Sequence, residues 1–282
     1  MITQVTEHPA ALETCRVLER LHGVRVTVPP VDRDGLVDPA ALAAALTDDT
    51  VLVSVMAADN ETGALQSITE LAVPAHEFGA LFHCDAAQAV GKVPLDVSVL
   101  GVDLPTLVGH KMYAPKGAAA LYVRDGVNLE PVVYGGGQER GLRAGTENVA
   151  LGAAAQLAAA ELADGASARI AGLRDDLHQR LATALPARLH LNGPEKECLP
   201  NTLNVSVDGV LGNELLSAIP EIAASTGSAC HSGTHIPSPV LTAMGLDSKQ
   251  ALGTLRFSLG RWTATADIET AADALTRAAA AH

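Results

Sequence analysis

Helix-like and strand-like hydrophobic periods alternate along the first half of the chain, and this constrains the fold more than any other feature. Pro9 to Leu21 sets Ala11, Leu12, Cys15, Leu18 and Leu21 at helical spacing with charges opposite, an amphipathic helix with Cys15 on its core side. Val24 to Val28 and Thr50 to Met56 read as buried strands. Between them Asp38-Pro39 starts a helix that Ala40 to Leu46 continues. A helix near Ile68 to Phe78 follows, then strands at Ala80 to Cys84, Leu104 to Val108 and Ala118 to Val123. Such alternation predicts an α/β architecture: a central, mostly parallel sheet flanked by helices.

The pattern changes after a long Gly-rich loop from Gly135 to Gly145. Asn148 opens an Ala-rich helix reaching Leu162, and Asp164-Gly165-Ala166-Ser167 breaks it. A helix from Ala168 to Leu185, strands at Thr202 to Val207 and Leu255 to Leu259, and a closing helix from Thr263 to Ala281 come next. Asp267 and Glu269 sit favourably in the first turn of that last helix. The expected division is a large domain over 1–164 and a smaller C-terminal α/β domain over 165–282.

Composition removes several classes of function. The chain is 48% apolar over 282 residues, but Gly, Pro and charges cut every apolar run short of membrane-spanning length. Met1 to His8 lacks the basic and apolar regions of a secretory signal, so the cytoplasm is the expected compartment and no membrane partner is expected. A net charge of -13 repels polyanions and argues against nucleic acid as a partner. The four cysteines, Cys15, Cys84, Cys198 and Cys230, form no C-x-x-C pair, which leaves them as reduced thiols and implies no metal site.

The residues that carry chemistry lie at strand ends, where ligands bind in open α/β sheets. Asp85 ends an apolar strand. A carboxylate there either keeps the ring nitrogen of a pyridoxal cofactor protonated, which preserves its capacity as an electron sink, or caps a following helix. Gln88 lies one turn on, within reach of a ring oxygen. Lys111 follows the next strand end through Gly109 and His110, so its amine projects toward the same crevice. Burial and a neighbouring cation there lower a lysine pKa toward a usable neutral amine, the requirement for a Schiff base. The alternative for Lys111 is an ordinary surface lysine beside Lys116.

Arg143 to Asn148 ends where a helix begins. Thr146 and the free N–H groups there either meet a phosphate or cap the helix. Arg256 interrupts an apolar strand and needs a carboxylate, from a substrate or from the protein. Cys230 lies in Ser225-Thr226-Gly227-Ser228-Ala229-Cys230-His231-Ser232-Gly233, beside an imidazole and in an accessible loop, the setting of a nucleophilic thiol. Its alternative is an inert core residue. Cys84 and Cys198 read as unreactive.

Taken together, His-Cys-Asp-Ala-Ala-Gln at 83–88, Gly-His-Lys at 109–111, Arg-Ala-Gly-Thr-Glu-Asn at 143–148, Ser-Ala-Cys-His-Ser at 228–232 and Leu-Arg-Phe-Ser-Leu-Gly-Arg at 255–261 resemble the cysteine desulfurases. These belong to the fold-type I, class V aminotransferase group of pyridoxal-phosphate enzymes, together with the selenocysteine lyases. The resemblance runs from Met1 to about Asp273. It implies pyridoxal 5'-phosphate carried by Lys111, with Asp85 on the pyridinium, Gln88 and Asn60 at the ring hydroxyl, and His8 stacked on the ring. It further implies His110 at the phosphate, Thr146 supplied by the neighbouring subunit of a homodimer, and Arg256, with Asn60, on the substrate. Cys230 would take sulfur from L-cysteine as a persulfide, leaving alanine, and hand it to an acceptor protein.

The family begins with a longer segment bearing a Gly-Ala-Thr-Glu-like loop at the cofactor phosphate. The expectation is therefore a large domain short of its front, with an exposed edge at the Val51 strand. Val108 stands where many desulfurases carry a phosphate-binding serine. The selenocysteine lyases resemble the chain at that position and share Cys-His-Ser before Pro-Ser-Pro-Val-Leu. Selenide release from L-selenocysteine is thus the alternative activity, and a family fragment that holds no cofactor is the non-enzymatic one.

Overall fold

In the computed structural model, which describes residues 1–162, 165–226 and 236–281, the chain folds around two sheets. It runs β1 (Ile2–Thr3), α1 (Pro9–His22), α2 (Pro39–Ala45), β2 (Leu52–Ser54), α3 (Ile68–Glu77), β3 (Leu81–Asp85), α4 (Val97–Leu100), β4 (Leu104–Val108), β5 (Ala119–Leu121) and α5 (Val149–Leu162). It continues with α6 (Ala166–Ala184), β6 (Leu189–Leu191), β7 (Thr202–Val207), α7 (Gly212–Ser217), α8 (Pro239–Ala243), α9 (Ser248–Leu252), β8 (Thr254–Ser258) and α10 (Thr265–Ala280).

The first sheet has the order β1-β2-β3-β4-β5. Strands β1 to β4 are parallel and β5 is antiparallel to β4. Short polar side chains set the helix starts that bring the chain back between strands. Asp38 accepts the Ala40 N–H at 3.0 Å ahead of α2, and Asp96 accepts the Ser98 N–H at 2.9 Å ahead of α4. Gly23 ends α1 at φ +67°, the left-handed cap that only glycine adopts without strain. Leu42, Leu71, Ala75, Val53 and Phe82 then close a core with almost no exposure.

The second sheet, β6-β7-β8, is antiparallel. Every residue of β7 is buried, and Leu177, Leu181, Leu255 and Leu275 from α6, β8 and α10 build a separate core around it. The expected boundary at 164/165 touches residues 163–164, which lie outside the described residues. The two cores are distinct, although Leu199, from beyond that boundary, packs in the first.

Several expectations change. Val24 to Val28 forms no strand: among the described residues only Thr27 bridges, to Ile2, and none pairs on its far side, which leaves Val28 45% exposed. The Val51 strand is not an edge. Strand β2 lies between β1 and β3, and the edges are β1 and β5. Asp85 caps a turn over 87–92 and not a helix. Strand β6, helices α4 and α7 to α9, and the short β1 had no counterpart in the periodicity, each being too brief to display one.

Candidate active site

Parallel register brings the tips of neighbouring strands together. Strand β3 pairs with β4 so that Asp85 lies opposite Thr106, and the chain leaving β4 turns at once through a 3-10 turn, Gly109–Lys111. Gly109 suits the tight approach at that turn. A Cβ there would meet the Ala118 carbonyl and Cβ at 3.0 Å, so glycine lets the loop press against β5 and point His110 and Lys111 outward. A cavity of about 560 Å³ opens at these strand tips.

Seven sequence-predicted residues meet in this cavity. Asp85, Gln88, His110 and Lys111 come from the tips of β3 and β4, while His8, Asn60 and Arg256 close it from three other elements. His8 is held at the head of α1, where its Nδ1 accepts the Ala10 N–H at 3.1 Å. Asn60 belongs to a loop organised by buried Asp59, whose Oδ1 accepts the Glu61 and Thr62 N–H groups at 2.8 and 2.6 Å. Arg256, on β8, crosses to this loop and donates from Nη1 to the Asn60 carbonyl at 2.9 Å. That bond ties the second sheet to the first at the cavity itself.

Thr146 is exposed just before α5 and does not line the cavity. Its implied role through a neighbouring subunit concerns a second copy of the chain. Cys230 lies outside the described residues.

Both readings of Asp85 coexist, since its Oδ1 accepts the Ala87 N–H at 2.9 Å while the residue lines the cavity. Lys111 is exposed, so the expected burial does not fall on it. It falls on Lys92, four residues after Gln88, which also lines the cavity; burial, and then the Lys111 charge, push its pKa down to about 8. Sequence reasoning missed Lys92, although its i, i+4 spacing from Gln88 was a usable signal. His83, beside Asp85, is structural. Its ring bridges Ser54 Oγ at 2.8 Å and Thr106 Oγ1 at 2.9 Å, and burial lowers its pKa and favours the neutral ring.

Tyr113, two residues past Lys111, also lines the cavity and adopts φ +69°, a region uncommon for a bulky side chain. Partners hold it there. Its hydroxyl accepts the Arg261 N–H at 2.9 Å, and the Arg261 guanidinium lies 4.5 Å above its ring and 4.3 Å from that of Trp262.

The donor set fits pyridoxal phosphate. A strand-tip carboxylate, a reachable primary amine and an amide line one cavity, and the buried Arg256 Nε has no hydrogen-bond partner among the described residues, as a guanidinium that binds a carboxylate would. Residues 1–270 match the family described as Aminotransferase class-V. The chain belongs to the class-V aminotransferases. Among curated relatives it is 46% identical to cysteine desulfurase 2 of Trichormus variabilis over 275 residues, 95% of this chain and 68% of the relative. It is 43% identical to cysteine desulfurase IscS of Dictyoglomus turgidum over 283 residues, 98% of this chain and 71% of that one. Among solved structures, a NifS-like protein superposes with a TM-score of 0.87 at 34% identity, covering 98% of this chain and 73% of the other. DndA from Streptomyces lividans superposes at 0.77 with 35% identity, covering 91% and 74%. The fold of this class-V member is thus that of the fold-type I pyridoxal-phosphate enzymes.

Proposed function

We propose that this class-V aminotransferase is a pyridoxal-phosphate-dependent cysteine desulfurase that converts L-cysteine to L-alanine and keeps the sulfur as a Cys230 persulfide. The observation that carries the reading is the meeting of Asp85, Lys111 and Arg256 in one cavity. When bound, the cofactor supplies an electron sink for bonds broken at the substrate amino acid.

The residues divide the remaining work. Lys111 provides the amine that anchors the aldehyde, and Asp85 offers the carboxylate that keeps a proton on the ring nitrogen. Gln88 and Asn60 donate to the ring oxygen, His8 covers the ring face and His110 serves the phosphate. Arg256, which lines the cavity, receives the substrate carboxylate. The Cys230 thiolate attacks the substrate sulfur and forms the S–S bond as the substrate carbon–sulfur bond breaks. The carbon keeps that electron pair and takes a proton, giving alanine. A cysteine attached to an acceptor protein then removes the outer sulfur. The unit over 1–164 holds cofactor and that over 165–282 brings Arg256 and Cys230. The enzyme works in the cytoplasm as a homodimer whose second copy supplies Thr146. Among the described residues no helix is long and apolar enough to cross a membrane.

Reconstitution with pyridoxal phosphate tests the reading. The wild type is expected to develop a visible Schiff-base band, and borohydride reduction should fix the cofactor mass on Lys111; Lys111→Ala should show neither. Cys230→Ser should keep the band and lose the persulfide seen by mass spectrometry. A band that survives in Lys111→Ala contradicts the anchor, and undiminished sulfide release in Cys230→Ser contradicts the acceptor thiol. Val108 lines the cavity and favours selenocysteine lyase as the second reading. Faster turnover of L-selenocysteine than of L-cysteine, insensitive to Cys230→Ser, would select it.

A further inference from the structure

The cavity holds a second amine that the proposed chemistry leaves unused. Lys92 Nζ donates to Gln88 Oε1 at 2.8 Å, and both side chains line the cavity that also holds Asp85 and Lys111. The Lys92 backbone is pinned independently of its side chain. Its N–H donates to the Ala89 carbonyl at 3.0 Å, and its carbonyl accepts the Ser167 hydroxyl of α6 at 2.8 Å. The ammonium is therefore delivered to one place, at the end of a turn braced by both units.

The chemistry of the two groups then fixes an orientation. An ammonium has donors only, so it faces the oxygen of a carboxamide and never its NH2. With Oε1 drawn to Lys92, the NH2 is the end of the Gln88 amide left to face the rest of the cavity. Left alone, a glutamine amide presents either end with nearly equal ease.

We propose that Lys92 is a positioning residue of the cofactor site, holding the Gln88 carboxamide by its oxygen so that the Gln88 NH2 is presented to the ring oxygen of bound pyridoxal phosphate. The inference rests on the cofactor reading above and deepens it. The titratable and charged groups facing the cavity with Lys92 are Asp85 from β3, His110, Lys111 and Tyr113 after β4, His8 at the head of α1, and Arg256 on β8. Burial and the Lys111 charge together make Lys92 give up its proton near pH 8. The charge-assisted bond to Gln88 is accordingly strongest below that pH and weaker above it.

The test is a titration of the apoprotein with pyridoxal phosphate, followed through the visible band, on wild type, Lys92→Met, Lys92→Arg, Gln88→Ala and the Lys92→Met/Gln88→Ala double variant. Lys92→Met should weaken cofactor binding about tenfold, the scale of one charge-assisted hydrogen bond. In the Gln88→Ala background the same change should cost less than about twofold, because Lys92 acts through Gln88. Lys92→Arg keeps the donors and the charge. It should bind within about threefold of wild type at pH 7 and overtake it by pH 9.5, where wild-type Lys92 is neutral. Should Lys92→Met not fold by circular dichroism, the Lys92→Arg comparison across pH carries the test alone. Equal losses from Lys92→Met with and without Gln88, or parallel pH profiles for wild type and Lys92→Arg, overturn the proposal. A wild type that binds no pyridoxal phosphate at all overturns the cofactor reading instead.

Discussion

Where β4 enters the first sheet, Asp103 is wholly buried and wholly partnered; where β1 to β4 leave it, Glu7 and Asp59 are comparably buried and keep oxygens without partners among the described residues. Asp103 accepts the Phe82 N–H at 2.6 Å and His76 Nε2 at 2.9 Å, and it also pairs with Arg124. Burial alone would raise its pKa, but the Phe82 N–H, His76 and Arg124 outweigh it and hold the carboxyl below the usual range. At the opposite end, burial first, and then the charge of Asp85, push Glu7 up to about 8, against the pull of the nearby Met56 and His8 N–H groups. Asp59 is raised by burial too, against the Thr62 and Glu61 N–H groups. One end of the sheet is built for cohesion. The other tolerates poorly satisfied acids around the cavity, the expected cost of holding a polar site in an apolar frame.

The sharpest way to break this contrast is Asp103→Ala, which leaves the Phe82 N–H, His76 and Arg124 without their acceptor. It should cost about 3–5 kcal/mol in denaturant melts, yet leave pyridoxal phosphate affinity unchanged at a temperature where the variant is folded. The second substitution should have the opposite sign. Because Glu7 keeps a proton up to about pH 8 in the fold and loses it near 4.5 when unfolded, its contribution to stability declines as pH rises through that interval. Glu7→Gln does not titrate. It should match wild type near pH 4.5 and exceed it by about 2–4 kcal/mol at pH 9, a difference that melts across pH would reveal; a variant less stable than wild type at pH 9 would refute the account of Glu7. A third variant, Gly260→Ala, probes the seam between the units at the cavity end. The new Cβ would sit 2.9 Å from the Tyr113 hydroxyl and force that ring aside, for a loss of about 1–2 kcal/mol with an accompanying drop in cofactor affinity. The smallest change belongs to Arg124→Met. Asp103 keeps two partners and Arg124 is half exposed, so about 1 kcal/mol is expected.

Much of the sheet and the cavity could be read from residue order because parallel strands impose it. An apolar run ending in Asp85, and another followed by Gly-His-Lys, place their polar ends together whenever the two strands are neighbours. Helices α1, α2, α3 and α5 were equally legible, each being an amphipathic or Ala-rich run, whereas the four residues of α4 were too few to show one. What escaped depends on contacts distant in sequence. Val24 to Val28 has strand composition and lacks a second neighbour to pair with. Leu189–Leu191 is a strand of three residues with a histidine in the middle, too short to show a period. Lys92 lines a cavity assembled from elements distant in sequence, and its turn is reached by Ser167 of α6; no local pattern announces either. Likewise, the raised pKa values of Glu7, Asp59 and Glu61 come first from burial, which the fold produces and the local sequence does not.

The stack of Tyr113, Arg261 and Trp262 has a practical corollary. Trp262 is the chain's sole tryptophan, and its indole meets the Tyr113 ring edge-on at 5.2 Å; Tyr113 lies two residues past Lys111 and lines the cavity. The molecule therefore carries its own optical gauge. The tryptophan emission of this protein, with no label added, issues from beside a ring that lines the cavity, and a displacement of Tyr113 from Trp262 would be readable in its colour or brightness.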